Sequence, residues 1–320
     1  MEIFIPDLKE IKPEDDSKKG LIFDLIIIGA GPAGITAVVY AARKRLSFMV
    51  ISKTIGGQVI LTSVVENYTG YQEITGNELT NKFNEHLKQF KFYFEQTEVK
   101  QIKRENSSFF VETDAEIFNG RTLIIATGAK PRMLNIKGEL EFKNRGVTYC
   151  ATCNAPLFAN KDVVVVGGGN SALDAVLQLI SIANKIYLVV RSDVLKGDDI
   201  MIDKIKANPK VEIMFNANII EILGDKLVKY VKINQKGVRK ELGVQGVFVK
   251  IGYNPNTEFL NAFVKLNTAR EIEIDSNNRT NVAGVYAAGD CTNVPYKQII
   301  IAAGEGSKSA ISAFDHLSKS

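Results

Sequence analysis

Two of the chain's three cysteines, Cys150 and Cys153, stand three positions apart in "VTYCATCNAPLF". A thiol pair at this spacing has three readings: two small buried hydrophobes, half of a metal site, or a redox centre cycling between dithiol and disulfide. A structural zinc site takes four ligands. Beyond the pair the chain offers Cys291, His86 and His316, none of them paired at ligand spacing, so no metal is expected. His86 in "NKFNEHLKQF" reads as a packing or solvated residue, His316 as tail, and Cys291 as a core thiol. For redox work only the thiolate is nucleophilic, and the Cys-x-x-Cys arrangement lowers a thiol pKa from about 8.5 toward 7 or below.

Such a centre needs electrons, and two glycine turns show where they enter. "FDLIIIGAGPAGITAVVYAARKR" runs from an apolar strand through Gly29, Gly31 and Gly34 into a helical pattern. In a dinucleotide fingerprint the first glycine makes the turn, the second admits the pyrophosphate, and the third lets helix and strand pack. The diphosphate then lies on unpaired amides at a helix N-terminus. "KDVVVVGGGNSALDAVLQLISIANK" repeats the design with Gly167, Gly169 and Ala172. Two such units predict an α/β chain of two Rossmann-like dinucleotide-binding domains, one for a flavin and one for a nicotinamide. "RTLIIATGAKPR" and "GVYAAGDCTNVPYKQIIIAAGEGSKSA" add two strand ends. The second carries Gly289 and Asp290, an acid able to accept hydrogen bonds from sugar hydroxyls.

Composition fits this reading. The 320 residues suit about two domains. Hydrophobic content of 45% and charged content of 24% are ordinary for a globular protein. A net charge of +4 without a basic run argues against nucleic acid as partner. The longest apolar stretches are interrupted by glycine and read as strands and helices rather than membrane spans. The opening "MEIFIPDLKEIKPEDDSKKG" carries acids and a proline where a leader has a basic patch and an apolar core. The expected location is therefore the cytoplasm, where structural disulfides are rare and a thiol pair points to catalysis or metal.

The blocks "GAGPAG", "GGQ", "VENYTGY", "ATGAKPR", "GVTYCATC", "GGGNSA", "GVYAAGDCT" and "VPYKQIIIAAGEGSKSAISAFDHL" resemble, in order and spacing, the low-molecular-weight thioredoxin reductases. The catalytic half of the flavoprotein component of alkyl hydroperoxide reductase is similar, although that protein carries thioredoxin-like domains ahead of this region. The resemblance covers about residues 22 to 316. It implies a discontinuous FAD domain, 1–133 with 256–320, into which a nicotinamide domain, 134–255, is inserted. It also implies a homodimer and a rotation of the inserted domain. Residues carried over as flavin contacts are Gly29, Gly31, Pro32, Ala33 and Gly34 in the first turn and Gly57, Gln58 and Asn67 in the next two blocks. Thr127 and Gly128 follow, then Gly289, Asp290, Lys297, Gln298 and Ile299. For the nicotinamide they are Gly167, Gly169, Asn170, Ser171 and Ala172, with Arg191, Ser192 and Lys196 at the second strand's end. Cys153 would meet the flavin and Cys150 would attack a thioredoxin- or glutaredoxin-like protein.

Three positions depart from the family pattern. An aspartate that moves protons usually follows the cysteine pair; here Asn154 cannot titrate. The family's NADPH-binding His-Arg-Arg and following Arg are here Val190, Arg191, Ser192 and Lys196. Guanidinium and hydroxyl can still hold a 2′-phosphate, so NADPH is the expected donor, with NADH as the alternative. Ser52 and Lys53 stand where many flavin folds hold an acid. The expected activity is that of an FAD-dependent thioredoxin-disulfide reductase. The alternatives are a reductase fed by a carrier such as ferredoxin, a dithiol oxidase using oxygen, and a non-catalytic flavin-binding sensor.

Overall fold

The computed structural model describes residues 20–61, 65 and 67–319, without the side chains of Leu61, Thr152 and Cys153. The opening segment read for a leader therefore lies outside the described residues, as does the side chain of Cys153. Among the described residues one unit is formed by 20–61, 65, 67–130 and 254–319, and a second by 131–253.

Among the described residues the first elements are β1 (Ile22–Ala30), α1 (Pro32–Arg43), β2 (Phe48–Ile55), α2 (Gly76–Leu87), β3 (Tyr93–Glu95) and β4 (Val99–Glu105). It continues with β5 (Ser108–Thr113), β6 (Ile117–Ile125) and β7 (Ala129–Pro131). The second unit carries β8 (Val147–Thr148), α3 (Ala151–Asn154), β9 (Asp162–Val166), α4 (Asn170–Ile180), β10 (Lys185–Val189), α5 (Asp199–Lys206) and β11 (Val211–Met214). There follow β12 (Ala217–Gly224), β13 (Val228–Gln235), β14 (Val238–Gly243) and β15 (Gly246–Val249). The chain ends through β16 (Tyr253–Pro255), β17 (Val285–Ala287) and α6 (Ile299–Leu317).

In the first unit the strands order as β3-β2-β1-β6-β5-β4, with β17 paired to β6. β1 is parallel to both neighbours, Leu25 facing Phe48 on one side and Thr122 on the other. A strand enclosed on both faces reads as a continuous apolar run, which is why "LIII" shows no alternation. From Leu25 to Ile28 its side chains alternate between two cores, and Phe23 at the strand's start joins the second. Leu25 and Ile27 pack under α1, while Phe23, Ile26 and Ile28 enter the opposite core with Phe109 and Leu260. Helix α6 crosses α1 where both are small: a Cβ at Gly306 would stand 2.0 Å from the Ala33 carbonyl oxygen.

The second unit repeats the plan as β11-β10-β9-β15-β8, all parallel. Val163 and Val165 pack with α4 and α5, and Val164 and Val166 pack against the antiparallel ribbon β12-β13-β14. The α/β fold with two Rossmann-like units expected from the two glycine turns is the fold observed. No helix among the described residues is long and apolar enough to cross a membrane.

Candidate redox site

Each glycine of the first turn has a separate physical reason. Gly29 has φ +105°, and a Cβ there would lie 2.3 Å from the Ala126 carbonyl oxygen. Gly34 lets α1 descend on the turn, since its Cβ would lie 1.9 Å from the Gly29 oxygen. Gly31 is different. Its φ of −80° and ψ of −173° suit any residue, and a Cβ would meet nothing nearer than Gly57 Cα at 3.9 Å. The protein itself does not require glycine there; a ligand approaching the backbone would. Gly31 is the N-cap of α1 and makes no side-chain cap, Pro32 takes the first helical position, and the next amides are left to bind an anion.

Around this turn, Gly57 at φ +58° brings its own turn against Gly31, and Gly289 at φ +76° packs on Ala33. Gly128, at φ +66°, faces open space. Asp290 lies in the turn after β17; burial pushes its carboxyl above the usual range, opposed by Lys297. No described residue donates a hydrogen bond to that carboxylate, so its acceptor capacity is open to sugar hydroxyls. The remaining carried-over side chains are engaged within the unit. Gln58 Nε2 donates to the Ala129 carbonyl (2.7 Å) and Asn67 Nδ2 to Gln298 Oε1 (3.1 Å). Thr127 and Asn256 exchange side-chain-to-backbone bonds at 2.8 Å. Lys297 pairs with Glu271 at 3.0 Å and also donates to the Thr292 carbonyl. Ile299 opens α6, whose N-cap Gln298 makes no side-chain cap. The cradle thus fits a flavin dinucleotide: open amides, a backbone free of Cβ, and an unsatisfied acid.

The second turn shows the same division of labour. Gly167 at φ +141° would place a Cβ 2.2 Å from the Lys250 carbonyl oxygen, and 3.0 Å from Ala172. Gly169, the uncapped N-cap of α4, has φ −102° and nothing nearer to a Cβ than 3.7 Å. Ser171 is exposed on the first turn of α4, and Asn170 Oδ1 accepts from the Asp198 amide at 2.8 Å. The 191–198 loop folds back on the turn, with the Lys196 amide donating to the Gly168 carbonyl at 2.6 Å. Val190 is 1% exposed and packs on Gly168, so the first accessible positions after β10 are Arg191 and Ser192. Ser192 Oγ donates to the Val194 carbonyl (2.7 Å). Arg191 and Lys196 are exposed, and neither side chain has a partner among the described residues.

Cys150 joins β8 to α3 in the second unit and is held in a disulfide. Thr148 Oγ1 organises the segment. It accepts from the Cys150 amide at 3.2 Å and from Asn154 Nδ2 at 2.6 Å, and donates to the Cys150 carbonyl at 3.2 Å. Asn154 therefore works as a donor, which the aspartate usual in the family could not do when ionised. The neighbouring Tyr149 donates its hydroxyl to Glu139 Oε1 at 2.9 Å. Glu139 is 1% exposed and also accepts from the amides of Leu134 (2.8 Å) and Asn135 (2.7 Å). Burial, with Glu139 beside it, pushes the Tyr149 phenol well above its ordinary value. The Tyr149 carbonyl accepts from Lys250 Nζ at 3.3 Å. Thr148, Glu139 and Lys250 were not singled out from the sequence, because no spacing rule connects them to the thiols. Cys291, the third cysteine, is free and fully buried, its thiol directed at the Ala288 (3.4 Å) and Ile125 (3.6 Å) carbonyls.

An α/β chain with two dinucleotide turns and a disulfide beside the second defines a flavin- and nicotinamide-linked disulfide oxidoreductase. Residues 23–307 match the family described as pyridine nucleotide-disulphide oxidoreductase, and the chain belongs to that family. It is 40% identical to an alkyl hydroperoxide reductase component from Xanthomonas campestris over 307 residues, covering 92% of this chain and 57% of that protein. It is 38% identical to a protein named NADH dehydrogenase from Bacillus subtilis over 300 residues, covering 92% of this chain and 58% of that one. The chain thus spans less than two thirds of those relatives. Among solved structures it superposes on thioredoxin reductase from Lactococcus lactis with a TM-score of 0.77 and 32% identity, covering 93% of this chain and 100% of that one. The chain is accordingly an oxidoreductase of thioredoxin reductase-like fold, and its family implies FAD and a nicotinamide as cofactors.

Proposed function

We propose that the protein is a thioredoxin reductase-like enzyme that reduces a disulfide between Cys150 and Cys153 with electrons from NADPH and hands them to a thioredoxin- or glutaredoxin-like protein. The observation that carries this reading is the Cys150 disulfide, set at the same sheet end as the second dinucleotide turn. On this reading the first unit is the FAD domain and the second the nicotinamide domain. The α1 amides and Gly31 receive the flavin's diphosphate, and Asp290 accepts from its sugar hydroxyls. When bound, the flavin supplies a two-electron relay between nicotinamide and disulfide. The α4 amides and Gly169 receive the nicotinamide's diphosphate, and the uncommitted Arg191 and Lys196 supply charge for a 2′-phosphate. Reduced Cys150 then attacks the partner's disulfide, forming a mixed disulfide that the second thiol resolves.

NADH is the second reading. It is supported by the relative named NADH dehydrogenase and by the absence of a histidine at Val190. An anaerobic titration of the yellow protein with each nicotinamide, following flavin absorbance, separates the two. Bleaching by stoichiometric NADPH, followed by reoxidation with a disulfide thioredoxin, is the expected result. Bleaching by NADH alone moves the assignment to the second reading, and bleaching by neither overturns both.

A further inference from the structure

Strand β15 lies parallel to β8, with Val247 level with Val147 and Phe248 with Thr148. β8 ends at Thr148 and β15 at Val249, so Lys250 follows β15 at the same sheet end at which Tyr149 and Cys150 follow β8. The pairing with β9 also fixes Lys250: its amide donates to the Val166 carbonyl at 2.8 Å, and its own carbonyl closes against Gly167. The side chain turns to the cysteine segment, where Nζ donates to the Tyr149 carbonyl at 3.3 Å, the peptide whose nitrogen belongs to Cys150.

From this juxtaposition we propose that Lys250 is the cation that keeps reduced Cys150 ionised, and so sets the reactivity of the attacking thiolate. The inference rests on the redox reading of the cysteine pair. It also answers a shortage in that reading, since Asn154 brings no charge to the dithiol.

Lys250 is poorly compensated while the disulfide is intact. Burial pulls its ammonium below the ordinary lysine range, and the carboxylate acting against that effect is Asp174 on α4. Asp174 is exposed and already accepts from Gln178 at 2.7 Å. The other charged or titratable groups near the segment are committed elsewhere. Glu139 is enclosed by two backbone amides and the Tyr149 hydroxyl, and Lys143 sits over the Tyr149 ring, 5.9 Å from its centroid. Two-electron reduction, by nicotinamide through the flavin or by an added dithiol, breaks the sulfur–sulfur bond and leaves two sulfur anions. One takes a proton from solvent. The other, at Cys150, gives Lys250 an anion besides the exposed Asp174, and lysine and thiolate stabilise each other. In the next step that thiolate forms a bond to one sulfur of the partner's disulfide, and the other leaves as a thiolate that takes up a proton.

The test is the pH dependence of alkylation of Cys150 in the full flavoprotein, reduced with dithiothreitol and mapped by peptide mass. An opposite charge a few ångströms away lowers a thiol pKa by about one unit or more. Lys250→Met should therefore raise the Cys150 midpoint by about one pH unit and slow its alkylation several-fold on the acid side. Lys250→Arg should restore the wild-type midpoint. Asp174→Asn, an exposed change that leaves packing intact, should lower the midpoint, because no carboxylate then competes for the ammonium. A stabilised thiolate also favours the reduced form. A tenfold loss in Lys250→Met corresponds to a disulfide potential about 30 mV more negative. An unchanged midpoint in folded Lys250→Met overturns the proposal. If Lys250→Met does not fold, an unchanged midpoint in Asp174→Asn overturns it. The redox reading fails separately, if Cys150→Ser retains disulfide reductase activity, and that result leaves the alkylation profiles interpretable.

Discussion

Replacing Gly31 by alanine separates what the fold needs from what the ligand needs. The backbone at Gly31 is already extended, and a methyl group there stands in van der Waals contact with Gly57 Cα at 3.9 Å and nothing closer. The cost to the protein is that of a poorer N-cap, from a few tenths to about 1 kcal/mol. For a chain of this size that is a fall in Tm of about 2–4 °C at most. A diphosphate seated on the α1 amides would meet the same methyl group, and forcing a methylene-sized group into a packed contact costs about 1–3 kcal/mol. FAD affinity should then fall roughly 5- to 150-fold. Gly34→Ala is the control: its Cβ would lie 1.9 Å from the Gly29 oxygen, so α1 itself must lift and Tm should fall with affinity. Thermal melting of the apoprotein, paired with flavin-fluorescence titration, reads both quantities. If Gly31→Ala bound FAD as tightly as the wild type, the pyrophosphate would not lie on this turn and the assignment of the first unit would be wrong.

Three further outcomes are expected. Arg191→Ala removes an uncommitted guanidinium; losing hydrogen bonds to a charged group costs about 1.5–3 kcal/mol, so KM for NADPH should rise roughly 10- to 150-fold. KM for NADH should stay level, and equal effects on both would remove Arg191 from the 2′-phosphate site. Asn154→Asp converts a donor to Thr148 into an acceptor, so the Thr148 hydroxyl must turn from the Cys150 carbonyl to the new carboxylate. The pH profile of disulfide reduction should gain a limb in the acid range, and an unchanged profile would show that position 154 has no part in proton movement. Glu221, paired with Lys137 at 2.8 Å and Lys232 at 2.9 Å, is held at about 2 against an ordinary 4.5. Because its folded pKa lies below the unfolded value, its stabilisation is complete above about pH 4.5 and is lost as the pH falls toward 2. Glu221→Gln should flatten the acid limb of stability between those values in chemical unfolding, and a limb as steep as in the wild type would assign the loss to other groups.

The glycine turns were legible because they are local backbone geometry: a strand, glycines at fixed spacing and a helix start are all written within a few residues of sequence. Cys150, held in a disulfide, was legible as a redox candidate from its spacing to the next cysteine alone. Position 190 shows where local reading stops. It aligns with a ligand position of the family, yet Val190 points into the core behind Gly168, so the accessible chemistry begins one residue later at Arg191. The partner of Asn154 is only six residues away, but a hydroxyl that accepts twice and donates once has no sequence signature.

Lys250 was illegible for a different reason. It stands one hundred residues after Cys150, in a stretch whose spacing says nothing about thiols. It reaches the cysteine segment at the Tyr149 carbonyl because β15 is inserted between β9 and β8, so one strand end borders both the second glycine turn and that segment. The Lys250 carbonyl occupies the space a Cβ would take at Gly167, while its ammonium lies on the Tyr149 carbonyl. The glycine that makes the nucleotide turn therefore also fixes the height at which the lysine leaves the sheet. A turn built without that glycine would push the backbone at 250 outward and carry the ammonium with it. Within this unit the second glycine turn and Lys250 share one backbone contact, and the proposed nucleotide binding and the proposed thiolate stabilisation would both depend on a glycine at 167.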